Sequence, residues 1–211
     1  MQILAHRGYW KKKKEQNTLT AFNAAFENNF GIETDIRDSH GQIVIAHNPP
    51  IFDNPTFNAF LKLYKTFGKN TKLALNIKSD GLHSKLESLL TLHNITNYFF
   101  FDMSIPDTIQ YSKSNLNFMT RQSEYEKEPI FYEECNGIWL DNFETDWYND
   151  ALIAEHLSNE KLVAVVSAEL HGRDYKKQWE MLRSTKLYKS DSLLLCTDFP
   201  TKAKDFFYGK D

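Results

Sequence analysis

Residues 2–36 read "QILAHRGYWKKKKEQNTLTAFNAAFENNFGIETDI" and place a strand, a helix and a second strand in direct succession. The two ends of this stretch, "QILAH" and "GIETDI", are short apolar segments typical of buried strands. Between them, Leu19, Phe22, Ala25 and Phe26 recur at the spacing of one helix face. This order predicts two parallel strands that are joined by a helical crossover.

The same alternation continues to the end of the chain. Further strands are predicted at "KLALNI", "YFFFD", "LNFMTR", "GIWLD", "KLVAVVS" and "SLLLCT", each after a helical segment, with a short helix expected within residues 123–134. The segment "QIVIAH", at residues 42–47, is taken as an extension of the second strand, which gives eight β/α units. Eight units predict an α/β fold, a (β/α)8 TIM barrel, as one compact domain over residues 1–211.

Composition narrows the functional class. The chain has 41% hydrophobic and 25% charged residues, as soluble globular domains do. The formal net charge of -3 gives no indication of nucleic-acid binding. No apolar run approaches the roughly 18 residues that a membrane span needs, and the N-terminus lacks the apolar core of a signal peptide, so we expect a cytoplasmic protein.

Charged and imidazole residues collect at the predicted carboxyl ends of the strands, where TIM barrels carry their active sites. Glu33 and Asp35 are two apart on a strand and therefore share a face. Two adjacent carboxylates repel each other, and a cation relieves that repulsion. Asn76, on the neighbouring strand, can add an amide oxygen, and oxygen ligands of this kind suit Mg²⁺ or Ca²⁺.

Four more residues at these strand ends have the chemistry for a phosphate substrate. Arg7 and Lys78 can hold an anion, and the imidazoles of His6 and His47 can serve as an acid/base pair. Each residue taken alone has a plainer interpretation, such as a salt bridge at the rim of the barrel or a core histidine. Their joint occurrence at consecutive strand ends favours metal-assisted phosphoryl chemistry.

The motifs "AHRG", "EQNTLTAF", "GIETDI", "GQIVIAHN" and "CTDFP" resemble those of the glycerophosphodiester phosphodiesterase family, whose members are phospholipase C-like phosphodiesterases with a TIM barrel. The resemblance implies that His6 and His47 are the acid/base pair and that Arg7 contacts the phosphate. It further implies that Glu33 and Asp35 bind a divalent metal. The family's third strand often carries Glu-Ile-Lys, whereas this chain, which resembles a small and divergent member, has Asn76-Ile77-Lys78.

This departure leads to a hypothesis about the substrate. An amide at position 76 brings no charge, so the site should hold its metal less tightly and accept a more anionic substrate more readily. A short connection after the second strand suits a bulky phosphodiester, such as one in a glycan or nucleotide-linked precursor. Trp10 is a candidate for stacking on a sugar or base, and Glu169 and His171 are candidates for substrate contact. Asn17 is expected to cap the first helix.

The sequence therefore predicts an enzyme, a metal-dependent phosphoric diester hydrolase that acts on a glycerol-, sugar- or nucleotide-linked phosphodiester. The alternatives are a lyase that stops at a cyclic phosphate and a binding module that has lost activity. The sequence names neither the two alcohols nor the metal, and it does not assign the acid and base roles to particular histidines. It also leaves the oligomeric state open.

Overall fold

The computed structural model describes residues 1–51, 53–68 and 71–209. Its strands and helices alternate along most of the chain. In order they are β1 Gln2–His6, α1 Leu19–Glu27, β2 Gly31–Ser39, β3 Gln42–Ile45, α2 Phe57–Phe67, β4 Leu73–Ile77, α3 His83–His93, β5 Tyr98–Phe101, α4 Ile105–Ser112, β6 Met119–Gln122, β7 Gly137–Leu140, α5 Asp150–Ser158, β8 Leu162–Val166, α6 Lys176–Ser184, β9 Leu193–Thr197 and α7 Pro200–Tyr208. The predicted alternation is confirmed except between β2 and β3 and between β6 and β7, where no helix intervenes.

The chain divides into two compact units. The N-terminal unit is Ala5–Phe118, and the C-terminal unit combines Met1–Leu4 with the chain from Met119 onward. In the N-terminal unit, β4 pairs in parallel with β2 on one side and with β5 on the other. In the C-terminal unit, β6, β7, β8 and β9 form successive parallel pairs. Parallel pairing of this kind requires a crossover of about a dozen residues or more, which is usually a helix. Residues 123–136 connect β6 to β7 without one.

Aromatic side chains fill the helical layer of the N-terminal unit. The rings of Phe22 and Phe60 lie 4.8 Å apart and those of Phe26 and Tyr64 lie 5.6 Å apart, so α1 and α2 pack through edge-to-face contacts. Thr18, rather than Asn17, caps α1, because its hydroxyl oxygen accepts from the backbone N–H of Ala21. The expectation that Asn17 is the cap is therefore wrong.

The segment "QIVIAH" is a separate strand rather than an extension of β2. It forms β3, which pairs antiparallel with β2 and sets Ile45 opposite Ile36. His40 and Gly41 make the turn between them with φ values of 47° and 80°, a conformation that two-residue hairpin turns require. This hairpin returns the chain to β2, where the backbone N–H of Ala46 donates to the carbonyl oxygen of Asp35 at 3.0 Å.

The helix expected within residues 123–134 does not form. Ser123 closes a turn there, since its hydroxyl oxygen accepts from the backbone N–H groups of Tyr125 and Glu126. Pro129 brings no N–H group, and Phe131 has a φ of 53°, which right-handed helices exclude.

Buried β7, β8 and β9 consist of nearly continuous apolar runs, as expected for covered parallel strands.

All the helices described are short, between 8 and 11 residues. At a rise of about 1.5 Å per residue, the longest spans about 16 Å, roughly half the thickness of a bilayer's hydrocarbon core. Within the described part of the chain, no helix is both long and apolar enough to cross a membrane.

Candidate active site

Two buried acids on β2 form the centre of the candidate site. The side chains of Glu33 and Asp35 are almost completely inaccessible to solvent. The parallel register places Asn76 of β4 directly beside Asp35, and the backbone N–H of Lys78 continues the ladder by donating to Ile36 at 2.9 Å. The structure therefore brings together the four residues that the sequence predicted on these two strands.

Asp35 is surrounded by positively charged and hydrogen-bonding groups. Its Oδ2 lies 2.9 Å from Nε of Arg7 and accepts from Nδ2 of Asn17 at 2.9 Å. Its Oδ1 lies 3.5 Å from Nζ of Lys78 and 3.2 Å from Nδ1 of His47. Burial alone would raise the pKa of the Asp35 carboxyl, but these partners, with Arg7 the strongest, together lower it. Asp35 is therefore held as the carboxylate.

Glu33 lies in a different electrostatic environment. Burial and the nearby charge of Asp35 raise the pKa of its carboxyl to about 7. Its Oε2 atom lies 3.8 Å from Nε2 of His6 and is buried without a hydrogen-bond partner. A cation close to this oxygen would remove the cause of the raised pKa, because it would offset both the burial and the repulsion.

Arg7 is fixed by the backbone that follows β1. It has a φ of 57°, and its N–H donates to the carbonyl oxygen of Glu33 at 2.8 Å. Gly8 follows with a φ of 90°, and a Cβ atom there would lie 2.9 Å from the backbone of Ala21. Glycine is therefore required at position 8 both for its conformation and for its small size.

His47 has two partners for one nitrogen. Its Nδ1 lies 2.8 Å from Nη2 of Arg7 and 3.2 Å from Oδ1 of Asp35. A guanidinium only donates, so the contact with Arg7 requires an unprotonated Nδ1, whereas the contact with Asp35 requires a protonated one. The proton on the neutral ring can therefore be at Nε2 or at Nδ1, and Nε2 can either donate or accept. The side chain is about half exposed, at 47%.

The oxygen atoms of this site suit a hard divalent cation. Oε2 of Glu33 and Oδ1 of Asn76 are both buried without a hydrogen-bond partner, and Nδ2 of Asn76 donates to Asp102 at 3.2 Å. Together with Asp35, they offer two carboxylates and an amide oxygen, which is a donor set for Mg²⁺ or Ca²⁺. No cluster of three or more His, Cys, Asp and Glu side chains in the described ranges could hold a metal ion. The set described above contains only two such side chains, because its third ligand is the amide of Asn76.

Asn17 belongs to this site, and sequence reasoning missed its role. Its Nδ2 donates to Asp35 and its Oδ1 accepts from the hydroxyl of Thr34 at 2.8 Å. Its backbone has a φ of 59°, a conformation that Asn tolerates better than most residues, and its N–H donates to the carbonyl oxygen of Arg7 at 3.0 Å. The motif "EQNTLTAF" marked the residue, but not these contacts.

Three further predicted residues have polar atoms engaged within their own units. Nε1 of Trp10 donates to the carbonyl oxygen of His6 at 2.9 Å, which anchors the loop after β1. In the C-terminal unit, the Glu169 carboxylate accepts from the hydroxyls of Ser167 and Thr197 and from the N–H of Asp198. Nε2 of His171, in the same unit, lies 2.7 Å from Oδ1 of Asp141. Substrate contact by these three residues stays a prediction.

Among the comparisons with known proteins, only the one with solved structures found matches, and these show the fold of the chain. No protein-family model matches this sequence, and no curated protein matches it. Among solved structures, the chain is similar to a glycerophosphodiester phosphodiesterase from Agrobacterium tumefaciens str. C58, with 15% identity, a TM-score of 0.70 and 98% of both chains covered. It is also similar to a phosphodiesterase from Oleispira antarctica in complex with the product sn-glycerol-3-phosphate, with 14% identity, a TM-score of 0.71 and 98% and 96% covered.

A third similar structure is a Ca²⁺-dependent phosphatidylinositol-specific phospholipase C from Streptomyces antibioticus, with 8% identity, a TM-score of 0.61 and 96% and 95% covered. At these identities the likeness is one of fold. It extends over nearly the whole of each chain and confirms the predicted (β/α)8 barrel. The resemblance found in the motifs is thus matched, independently, by the fold.

Proposed function

We propose that this protein is a phosphoric diester hydrolase in which His6 and His47 act as an acid/base pair. One observation carries the proposal: each imidazole lies beside a different member of the buried acid pair, His6 at Glu33 and His47 at Asp35. Arg7 contacts the same pair. The fold shared with phosphodiesterases, one of them in complex with a glycerol phosphate product, supports this assignment.

The residues that would hold a divalent metal are Glu33, Asp35 and Asn76. When bound, such an ion supplies Lewis-acid stabilisation to a non-bridging phosphate oxygen. Mg²⁺ and Ca²⁺ both fit a set of three oxygen ligands that leaves the remaining positions to water and substrate. The carboxylates of Glu33 and Asp35 together balance the double charge of such an ion. The phosphate of the substrate would then give this group of ligands its first net negative charge.

Arg7 and Lys78 hold the negative charge of the diester. The guanidinium carries five N–H donors in a planar fork. Its Nη2 lies 2.8 Å from Nδ1 of His47, and its Nε forms an ion pair with Asp35 at 2.9 Å. The Lys78 ammonium lies 3.5 Å from Asp35 and is about one-fifth exposed, so it can reach an anion in the same opening. These cations stabilise the charge that increases on the phosphoryl oxygens in the transition state.

The two histidines transfer the protons. One removes a proton from the attacking hydroxyl, and the other gives a proton to the oxygen that leaves. When the proton of His47 is on Nδ1 and is shared with Asp35, Nε2 is the accepting atom, and when Arg7 occupies Nδ1, Nε2 carries the proton. Either role is therefore open to His47, and His6 takes the other.

The attacking hydroxyl can come from water or from the substrate itself. If a neighbouring hydroxyl of the substrate attacks, a cyclic phosphate forms first, and water then opens it. A lyase would stop at the cyclic compound. Phosphorus NMR of the products separates the two reactions, because hydrolysis ends in a phosphate monoester.

The test is a screen of glycerol-, sugar- and nucleotide-linked phosphodiesters with Mg²⁺, with Ca²⁺ and with a chelator. We expect hydrolysis of at least one class and its loss on chelation. Hydrolysis that is unchanged by chelation would contradict the metal assignment alone. Absence of turnover in every class, with phosphodiesters still bound, would favour a binding module and contradict the proposal.

A further inference from the structure

A cleft of about 420 Å³ adjoins the candidate site in the N-terminal unit. Arg7 and His47 line it, so it opens onto the groups proposed for the diester, and Lys13 and Lys14 line it as well. Its volume lies within the range of about 300–1,000 Å³ that small-molecule pockets occupy. The cleft thus has room for part of a substrate beyond the phosphorus atom.

The charge on the cleft walls is predominantly positive. Three basic side chains, Arg7, Lys13 and Lys14, line it, and Asp53 is the acidic one among the described lining residues. Within the described part of the chain, neither Lys13 nor Lys14 has an ion-pair partner within 4 Å. Gln16, which also lines the cleft, is uncharged. An anion in this space would therefore meet more positive than negative charge.

The loop that carries the two lysines is held in place by its own contacts. Lys13, Lys14 and Glu15 form a short 3-10 helix. The Glu15 carboxylate accepts from the backbone N–H groups of Lys11 and Lys12 at 2.9 and 3.2 Å. Glu15 therefore stabilises the loop, and the ammonium groups of Lys13 and Lys14 stay available to a ligand.

We propose that this cleft binds a second anionic group, a phosphate monoester carried by the alcohol part of the diester. The inference rests on the proposed function, and it extends that function by naming the class of substrate. A diester with a phosphorylated alcohol would place its central phosphate at Arg7 and its terminal phosphate at Lys13 and Lys14. The excess of basic over acidic side chains in its lining distinguishes this cleft from a pocket for a neutral lipid or sugar.

The experiment compares two matched substrates: two glycerol units linked by a phosphodiester, with and without a terminal phosphate monoester. We expect the wild-type enzyme to prefer the phosphorylated diester and the Lys13→Gln/Lys14→Gln variant to lose roughly 3- to 30-fold of that preference in kcat/KM, mostly through KM. The preference should also weaken at high salt, because exposed charges are screened. Lys11→Gln/Lys12→Gln removes the same charge from residues outside the cleft lining and should keep the preference.

Equal losses in the two double variants would mean that loop charge in general attracts the substrate, and would overturn the cleft assignment. A wild-type preference for the diester without the terminal phosphate would overturn it as well.

Calorimetric titration with inorganic tripolyphosphate separates this proposal from the catalytic one. If no diester is hydrolysed but Lys13→Gln/Lys14→Gln alone weakens tripolyphosphate binding, the proposed function fails while the anion site stands. Unchanged tripolyphosphate binding in that variant would contradict the anion site.

Discussion

Asn76 makes this site chemically different from one with three acids. Its Nδ2 donates to Asp102, while its buried Oδ1 has no hydrogen-bond partner. The amide nitrogen therefore binds a neighbouring acid, and the amide oxygen is left to coordinate a cation. A carboxylate at this position would add charge for a metal, but it would also repel Asp102 in the absence of the metal. The amide therefore lowers the negative charge of the site and avoids that repulsion.

Replacement of Asn76 by Glu should change these two properties in opposite directions. We expect Mg²⁺ and Ca²⁺ to bind on the order of tenfold more tightly, since ligand charge sets affinity in sites of this kind. The metal-free variant should be less stable than the wild type because the new carboxylate faces Asp102. Calorimetric titration and thermal unfolding in a chelator measure the two effects. Asn76→Gln controls for side-chain length, and equal metal affinity in the two variants would contradict the charge argument.

The sequence predicted most residues of the candidate site from their side-chain chemistry, but it did not predict the contacts between them. His6, Arg7, Glu33, Asp35 and His47 stand in short motifs, and strand order places Asn76 on a strand next to that of Asp35. The register that sets the two side by side is seen only in the structure. The contacts of Asn17 could not be predicted, because they depend on a left-handed backbone conformation and on hydrogen bonds to Thr34 and Asp35, which are distant in the sequence. The cleft around Lys13 and Lys14 depends on loop geometry in the same way.

The turn after β1 depends on Gly8 for both conformation and space. Gly8→Ala would combine a positive φ with a Cβ atom 2.9 Å from the backbone of Ala21. Gly41 also has a positive φ, but a Cβ atom there would meet nothing within 4 Å. We expect Gly41→Ala to lose about 1–2 kcal/mol of unfolding free energy through strain. Gly8→Ala should lose at least about 1 kcal/mol more through overpacking.

Urea denaturation of the two variants measures this difference. Equal losses would show that the loop after β1 relaxes to admit the methyl group, and would contradict the requirement for glycine at position 8. Activity offers a second readout, because a displaced Gly8 also moves Arg7, whereas Gly41 lies at the β2–β3 turn.

In the C-terminal unit, a buried histidine links α5 to β6. Nε2 of His156 lies 2.8 Å from Oε1 of Gln122, and its Nδ1 lies 2.9 Å from the hydroxyl of Tyr132. Burial lowers the pKa of this imidazole, and the weaker effect of Glu155 opposes that shift. The neutral ring satisfies both partners, because Nδ1 accepts from the tyrosine while Nε2 donates to the glutamine.

This shift predicts how stability depends on pH. The unfolded chain binds a proton at His156 near its ordinary pKa of about 6.5, whereas the folded protein binds it only at lower pH. Stability contributed by the neutral ring is therefore complete above about pH 6.5 and is lost as the pH falls through and below that value. The wild type should lose more unfolding free energy between pH 7.5 and 5 than His156→Gln does. Parallel pH profiles for the two proteins would contradict this role.

The elements of the fold were predictable where periodicity is strong. Helix α2, for example, buries Phe57, Phe60, Leu61 and Tyr64, which recur at the spacing of one helix face. The antiparallel strand β3 was misassigned because a short apolar segment has the same pattern in a hairpin as in an extended strand. The helix expected within residues 123–134 was wrong because the bonds of Ser123 and the backbone of Phe131 favour turns.

At the scale of the whole molecule, β1 is shared by the two compact units. Its first residues belong to the C-terminal unit and its last residues to the N-terminal unit, so the two are covalently joined within one strand. A strand cannot unfold at one end and keep its full pairing at the other. We therefore propose that residues 1–211 behave as one folding domain.

Chemical denaturation followed by two signals tests this proposal. Trp139, Trp147 and Trp179 lie in the C-terminal unit and Trp10 in the N-terminal unit, so tryptophan fluorescence reports mainly on the former. Far-ultraviolet circular dichroism reports on the helices and strands of both units. A single domain predicts coincident transitions by the two signals. Separate midpoints would show that the units unfold independently.

The most direct test of the central claim is the turnover of one phosphodiester substrate by His6→Ala, His47→Ala and the control His40→Asn. His40 lies at the β2–β3 turn with a φ of 47°, a conformation that Asn also tolerates. Loss of a general acid or base lowers kcat by roughly 10²–10⁴-fold, so we expect that loss in each of the first two variants and near wild-type turnover in the control. Wild-type turnover in His6→Ala or His47→Ala would contradict the acid/base assignment.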